Sequence, residues 1–187
     1  QEVNKNFFRI KHLKDYWIHL NGYRKKKNKL SIDASLHSIS EIKKIKKTFT
    51  KSEILLDFLE KNPIDQLWIN RPFYPISKAF IHEKKFSGEN SFKKIKKTQK
   101  ILKKNFIDFF ILNSLDSIAW LLNIRGNDIK YTPLLICYLI IPNKGKPELF
   151  IDKKKIKKIF KDLKKLINIK NFENIDKHIL SLNNKKI

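Results

Sequence analysis

Residues 116–133 read Asp-Ser-Ile-Ala-Trp-Leu-Leu-Asn-Ile-Arg-Gly-Asn-Asp-Ile-Lys-Tyr-Thr-Pro. The first half is apolar at Ile118, Ala119, Trp120, Leu121 and Leu122. It breaks at Arg125, Gly126, Asn127 and Asp128 and closes on Tyr131, Thr132 and Pro133. An apolar run, residues 134–141, follows and has the length of a buried strand. An apolar helix that stops at a charged, glycine-containing loop before such a strand holds polar groups at a fixed edge of a sheet. Loops held that way carry function more often than the elements they join. Arg125, Asp128 and Tyr131 are therefore the candidate residues for a cleft or interface loop. The competing structural role is a pin, with Arg125 and Asp128 ion-paired and bonded to local backbone. Trp120 is expected in the core, its N–H bonded to a carbonyl.

Downstream, Pro142 to Gly145 make a turn and residues 148–151 return as a hairpin. Residues 153–166 have helical spacing through Ile156, Ile159, Phe160 and Leu163. A strand at 167–169 and a last helix at 174–182 complete this part. Upstream, residues 91–104 form a helix with Phe92, Ile95, Ile101 and Leu102 on one stripe. Its lysine pairs fall mostly off that stripe and are expected to be solvated. Residues 106–112 read as a strand. Pro72 and Pro75, with Phe73 and Tyr74 between and beside them, mark an extended linker over residues 71–87.

Before the linker, strand and helix alternate. A strand at 7–12 and a short helix at 15–20 containing Trp17 come first. A strand at 30–32 precedes Ser38 and Glu41, which have the spacing of a capping box. Ile39, Ile42, Ile45 and Phe49 then give a helical stripe. A strand near 54–56 leads to a short helix started by Pro63 and capped by Asn62. Such alternation suggests an α/β fold with parallel strands.

The bulk composition bounds the function. The chain has 187 residues, 42 Lys+Arg against 18 Asp+Glu, and a net charge of +24. That charge would suit nucleic acid. However, Lys, Ile and Asn share AT-rich codons, and arginine, the usual donor for bidentate base contacts, occurs only as Arg9, Arg24, Arg71 and Arg125. Cys137 is the single cysteine and lies in the apolar run. It cannot form an internal disulfide and has no neighbouring base, so it reads as a buried structural thiol of an intracellular protein. No stretch is long and apolar enough to span a bilayer as a helix. The absence of an initiating Met leads to the expectation that the chain is a fragment.

The stretch Ile118 to Gly126, with Asp128, Pro133 and Tyr138, resembles the signature Ile-Ala-Trp-Leu-Leu-Asn-Leu-Arg-Gly-Ser-Asp-x-x-x-Asn-Pro of the long, three-domain Xaa-Pro aminopeptidases, in the creatinase/prolidase metallopeptidase family. Asn127 and Thr132 depart from it. Residues 65–72, Asp-Gln-Leu-Trp-Ile-Asn-Arg-Pro, are similar to the motif that leaves the first domain in that family. The resemblance implies an α/β fold of creatinase N-terminal type, with a mixed β-sheet flanked by helices in each domain. It implies the back half of a first domain at 1–70, a linker at 71–87, and a nearly complete second domain at 88–187. A truncated first domain is expected to expose a sheet edge and to favour homodimers.

In that family two divalent metals, expected to be manganese, sit on two Asp, one His and two Glu of a further C-terminal domain. No matching set is present in this sequence. His12, His19, His37, His82 and His178 are scattered, and no phosphate-binding glycine loop or nucleophile elbow occurs. No catalytic, cofactor or metal residue is therefore assigned. The expected function is the non-catalytic N-terminal part of a cytoplasmic, metal-dependent Xaa-Pro aminopeptidase. Such an enzyme releases an N-terminal residue that precedes proline. The expected partners are the catalytic domain of the same chain and, in the parent enzyme, a peptide substrate. The alternative is a catalytically inactive peptidase-like module that binds a peptide or a basic protein. Nucleic-acid binding, on charge alone, comes third.

Overall fold

A computed structural model describes residues 4, 6, 7, 10, 12, 28–49, 54–182, 185 and 186. The strand expected at 7–12 and the helix expected at 15–20, with Trp17, lie largely outside these described residues. The chain divides into two compact units, residues 1–72 and 73–187.

In the first unit, β1 (Lys29–Ile32) and β2 (Leu55–Phe58) pair in parallel, with Lys29 opposite Leu55 and Ile32 opposite Phe58. Parallel neighbours need a crossover, and α1 (Ile39–Phe49) lies within it. The helix buries Ile45 and Phe49, four residues apart on one face. Its start is a complete capping box. The Glu41 amide donates to Ser38 Oγ at 3.2 Å, and the Ser38 amide donates to Glu41 Oε2 at 2.7 Å. Ser38→Ala is expected to cost about 1 kcal/mol, read as a lower melting temperature of the first unit. The short α2 (Pro63–Leu67) is capped by Asn62, whose Oδ1 takes the Ile64 amide at 2.9 Å. The same side chain donates to Asp33 Oδ2 at 2.9 Å, tying this helix to the end of β1. Trp68 is half-exposed, and the Arg71 guanidinium lies 5.6 Å from its ring.

The second unit is built on a mixed four-stranded sheet of β4 (Phe109–Leu112), β6 (Tyr138–Pro142), β7 (Glu148–Phe150) and β8 (Asn168–Lys170), in that order. The first two pairings are antiparallel and the last is parallel. Alternate residues of a strand face opposite sides. Accordingly Leu139, Ile141 and Leu149 pack with α4 (Ser91–Lys104), α5 (Leu115–Leu122) and α6 (Phe160–Leu166), while Ile140 and Phe150 pack with Ile175 of α7 (Ile175–Ser181). Helices therefore cover both faces. On the α7 side, His178 Nε2 lies 2.7 Å from Glu148 Oε2. Within the stretch read as a linker, Ala79 is buried and Phe80–Ile81, as β3, pairs with β5 (Ile124–Arg125). The short α3 (Lys84–Ser87) follows. Among the described residues no helix is long and apolar enough to cross a membrane.

Several expectations of extent and burial need correction. The strand predicted over 106–112 begins only at Phe109, and Phe106 is exposed at φ 55°. Of the stripe predicted on α4, Ile95 and Leu102 are buried but Phe92 and Ile101 are exposed. The helix predicted over 153–166 begins only at Phe160. The Lys155 carbonyl, which a continuous helix would give to residue 159, instead accepts from the Ala79 amide at 2.8 Å, and residues 152–159 run as successive tight turns. The strand predicted over 134–141 begins only at Tyr138. The Leu134 carbonyl accepts from the Asp128 amide, and the Ile136 amide donates to Asp128 Oδ2, so neither is free to pair with a strand. Trp120 is 56% exposed rather than buried. Ile118, Leu121 and Leu122 share the inward face of α5 at helical spacing, and residue 120 falls on the other side.

Candidate functional site

The loop that carries the candidate residues begins where α5 ends. Asn123 stops the helix in the left-handed conformation, at φ 51°, a position Asn tolerates better than most residues. Its Oδ1 accepts from Lys94 Nζ at 2.8 Å, and its Nδ2 donates to the Glu89 carbonyl at 2.8 Å. Lys94 Nζ also donates to the Trp120 carbonyl at 2.8 Å and sits 4.3 Å from the Trp120 ring centroid. Burial holds the Lys94 pKa below its ordinary value; Glu89 nearby offsets this in part.

Arg125 does not pair with Asp128. Its Nη1 donates to the carbonyls of Ala119 at 2.7 Å and Ile124 at 2.9 Å. It is a cation closing the C-terminal end of α5, where the helix dipole favours positive charge. The predicted Arg125–Asp128 ion pair is thus replaced by a different one. Lys155 Nζ lies 2.6 Å from Asp128 Oδ2, with side chains only 3% and 0% exposed. The remaining acceptor positions of Asp128 are also used. Oδ2 takes the Ile136 amide at 2.8 Å, and Oδ1 takes the Ser77 amide at 3.0 Å and the Ser77 hydroxyl at 2.8 Å. Burial pushes the Asp128 pKa up more strongly than any other single influence. The donors together outweigh it and hold the carboxyl below its usual 3.8.

Beyond this buried carboxylate the backbone makes a closed excursion. The Asp128 amide donates to the Leu134 carbonyl at 3.0 Å, and Thr132 donates to Ile129 at 3.1 Å. Tyr131 stands at the tip, 93% exposed and at φ 63°. The left-handed region is unusual for a bulky residue. The base of the loop is therefore buried and held by hydrogen bonds, and its tip is presented to solvent. Of the three candidates, Asp128 and Arg125 turn inward and Tyr131 alone turns outward. Chemically, the tip offers one aromatic ring and one hydroxyl, with Lys130 Nζ 5.0 Å from the ring.

Sequence reasoning missed Ser77, Lys94 and Lys155. Each buried lysine lies in a run of solvated lysines, and nothing in residue type or spacing sets it apart. Cys137 is buried as expected, and burial pushes its thiol up to about 12, which leaves it protonated and inert.

Among the described residues no group of three or more His, Cys, Asp or Glu side chains could hold a metal ion. The most buried carboxylate, Asp128, is saturated by protein donors.

Comparison with known proteins agrees with the architecture. The family model described as the creatinase/prolidase N-terminal domain matches residues 70–187. A probable Xaa-Pro aminopeptidase P of Ajellomyces dermatitidis is 37% identical over 128 residues, which is 68% of this chain and 21% of that protein. Xaa-Pro aminopeptidase 1 of Dictyostelium discoideum is 34% identical over 139 residues, or 70% of this chain and 22% of that protein. The crystal structure of an X-prolyl aminopeptidase from Caenorhabditis elegans, described as a cytosolic enzyme with a di-nuclear active site, superposes with a TM-score of 0.75 at 25% identity. It covers 86% of this chain and 26% of that one. The chain thus spans about a fifth of the length of the curated relatives it matches. With a family match over residues 70–187, which include the whole second unit, this chain belongs to the creatinase/prolidase N-terminal domain family.

Proposed function

We propose that this chain is the non-catalytic N-terminal portion of a cytoplasmic Xaa-Pro aminopeptidase. A catalytic domain elsewhere in the same protein supplies the metal centre, expected to hold two manganese ions. The role of the portion described here is to pack against that domain and to shape the cleft that admits the peptide N-terminus. The observation that carries this reading is the loop at 125–131, whose exposed tip, Tyr131, stands on a base fixed by the buried Asp128. A contact surface on a rigid support is what positioning requires.

The test uses the complete enzyme. Tyr131→Ala is expected to lower kcat/KM for Xaa-Pro peptides by roughly fivefold to tenfold, the effect of losing one positioned aromatic contact. The melting temperature is expected to stay unchanged, because the ring is solvated. Arg125→Ala is expected to do the reverse, lowering the melting temperature with unchanged kinetics. Unaltered kinetics for Tyr131→Ala would remove the loop tip from the cleft.

A further inference from the structure

The start of α4 opens into a recess that reaches Asn123, where the loop described above begins, but not Arg125, Asp128 or Tyr131. The recess has a volume of about 440 Å3 and is walled by Leu122, Leu163 and Leu166, with Lys84, Asn90 and Ser91 at its polar end. That size and make-up suit a small ligand with an apolar body. The helix has 14 residues, so its first turn carries the positive end of a developed dipole. Asn90 satisfies part of that turn. Its Oδ1 takes the Lys93 amide at 2.9 Å and its carbonyl takes the Lys94 amide at 3.3 Å. The amides of Ser91 and Phe92 are left without an acceptor among the described residues.

The second observation is the Ser91 side chain. Ser91 is only 7% exposed and lines the recess. Its hydroxyl has no hydrogen-bond partner among the described residues. Buried hydroxyls are almost always satisfied, so this one points to an atom that arrives from outside the chain. Lys84, on the same rim, has no carboxylate partner among the described residues. The lining includes one carboxylate, Asp162, whose charge is met by Lys165 Nζ at 3.1 Å.

We propose that this recess binds a small molecule with an oxyanion head, a carboxylate or a phosphate monoester, on an apolar tail. The head accepts from the Ser91 hydroxyl, from the amides of Ser91 and Phe92, and from the Lys84 ammonium. A helix N-terminus with free amides is a ready anion site. The tail lies against the three leucines.

The test is a titration of the 15N-labelled chain at physiological salt, where diffuse attraction to its positive charge is screened. The probes are hexanoate, hexyl phosphate and hexanol. One or both anions are expected to shift the Ser91 and Phe92 amides saturably, while hexanol leaves them in place. The tighter anion identifies the head group. Ser91→Ala is expected to weaken binding about tenfold, the effect of losing one hydrogen bond to a charged group. Lys84→Gln, at an exposed position, is expected to weaken it severalfold without disturbing the fold. The proposal is overturned if neither anion moves these amides, if hexanol moves them equally, or if both variants bind as the unaltered chain does.

Discussion

Asp128→Asn is expected to destabilise the second unit by about 3–5 kcal/mol, the range for breaking one side of a buried ion pair. The side chain keeps its shape, so the loss isolates the charge. Lys155 Nζ, 2.6 Å away and almost wholly buried, would lose its one carboxylate partner among the described residues. It would keep one long contact, to the Ile136 carbonyl at 3.4 Å. Three further donors, from Ser77 and Ile136, would face an amide in place of a carboxylate. Chemical denaturation of the 187-residue chain measures the loss. Adding Lys155→Met should return part of it, because the second change removes the stranded cation. A double variant as unstable as the sum of the two single ones would mean that the pair is not coupled.

The same pair predicts an acid limb. The native pKa of Asp128 lies below its unfolded value. The unfolded state therefore binds the proton first as pH falls, and folding becomes less favourable. The contribution is complete above about pH 4 and is lost as pH drops through the depressed native value. Asp128→Asn should flatten that part of the stability profile.

Gly126→Ala is expected to cost about 1–3 kcal/mol, the range for forcing a methyl into a packed core. A Cβ at this position would lie 2.2 Å from Leu135 Cδ2 and 2.7 Å from Leu135 Cγ, with Ser77 Oγ at 3.1 Å. Leu135 is itself buried and cannot swing away into solvent. A shift of Ser77 would also pull on Asp128, so the damage should spread to the loop base. The signature of this coupling is a double variant. Gly126→Ala with Leu135→Ala should be less unstable than the two single losses added together. Strict additivity would place the clash elsewhere.

Much of the second unit was legible because its signals are local. The hairpin from Tyr138 to Phe150 follows from two apolar runs around a Pro-Asn-Lys-Gly turn. The helix at 91–104 follows from its helical spacing, though only Ile95 and Leu102 of the predicted stripe are buried, and the crossover helix of the first unit follows from Ser38 and Glu41. The elements that failed were those whose backbone groups bond outside the regular pattern of a helix or strand. The Lys155 carbonyl is taken by Ala79, and the groups of Leu134 and Ile136 by Asp128. Periodicity registers neither a partner dozens of residues away, as for Lys155, nor a side chain that takes a backbone amide, as Asp128 takes that of Ile136. The candidate site was legible as a place but not as a wiring scheme. Charge and spacing suggested Arg125 against Asp128, yet the true partner, Lys155, is one lysine in a run of three. Trp120 misled for a different reason. In a block of consecutive apolar residues, one must face outward on a helix.

The most direct test is to express the full-length protein from its gene and assay the release of the N-terminal residue from an Xaa-Pro peptide and from its Xaa-Ala counterpart, with manganese supplied. Metal-dependent release from the proline peptide alone is the predicted result. A full-length protein that releases nothing under those conditions would contradict the aminopeptidase assignment and leave the chain as part of a peptidase-like binding protein.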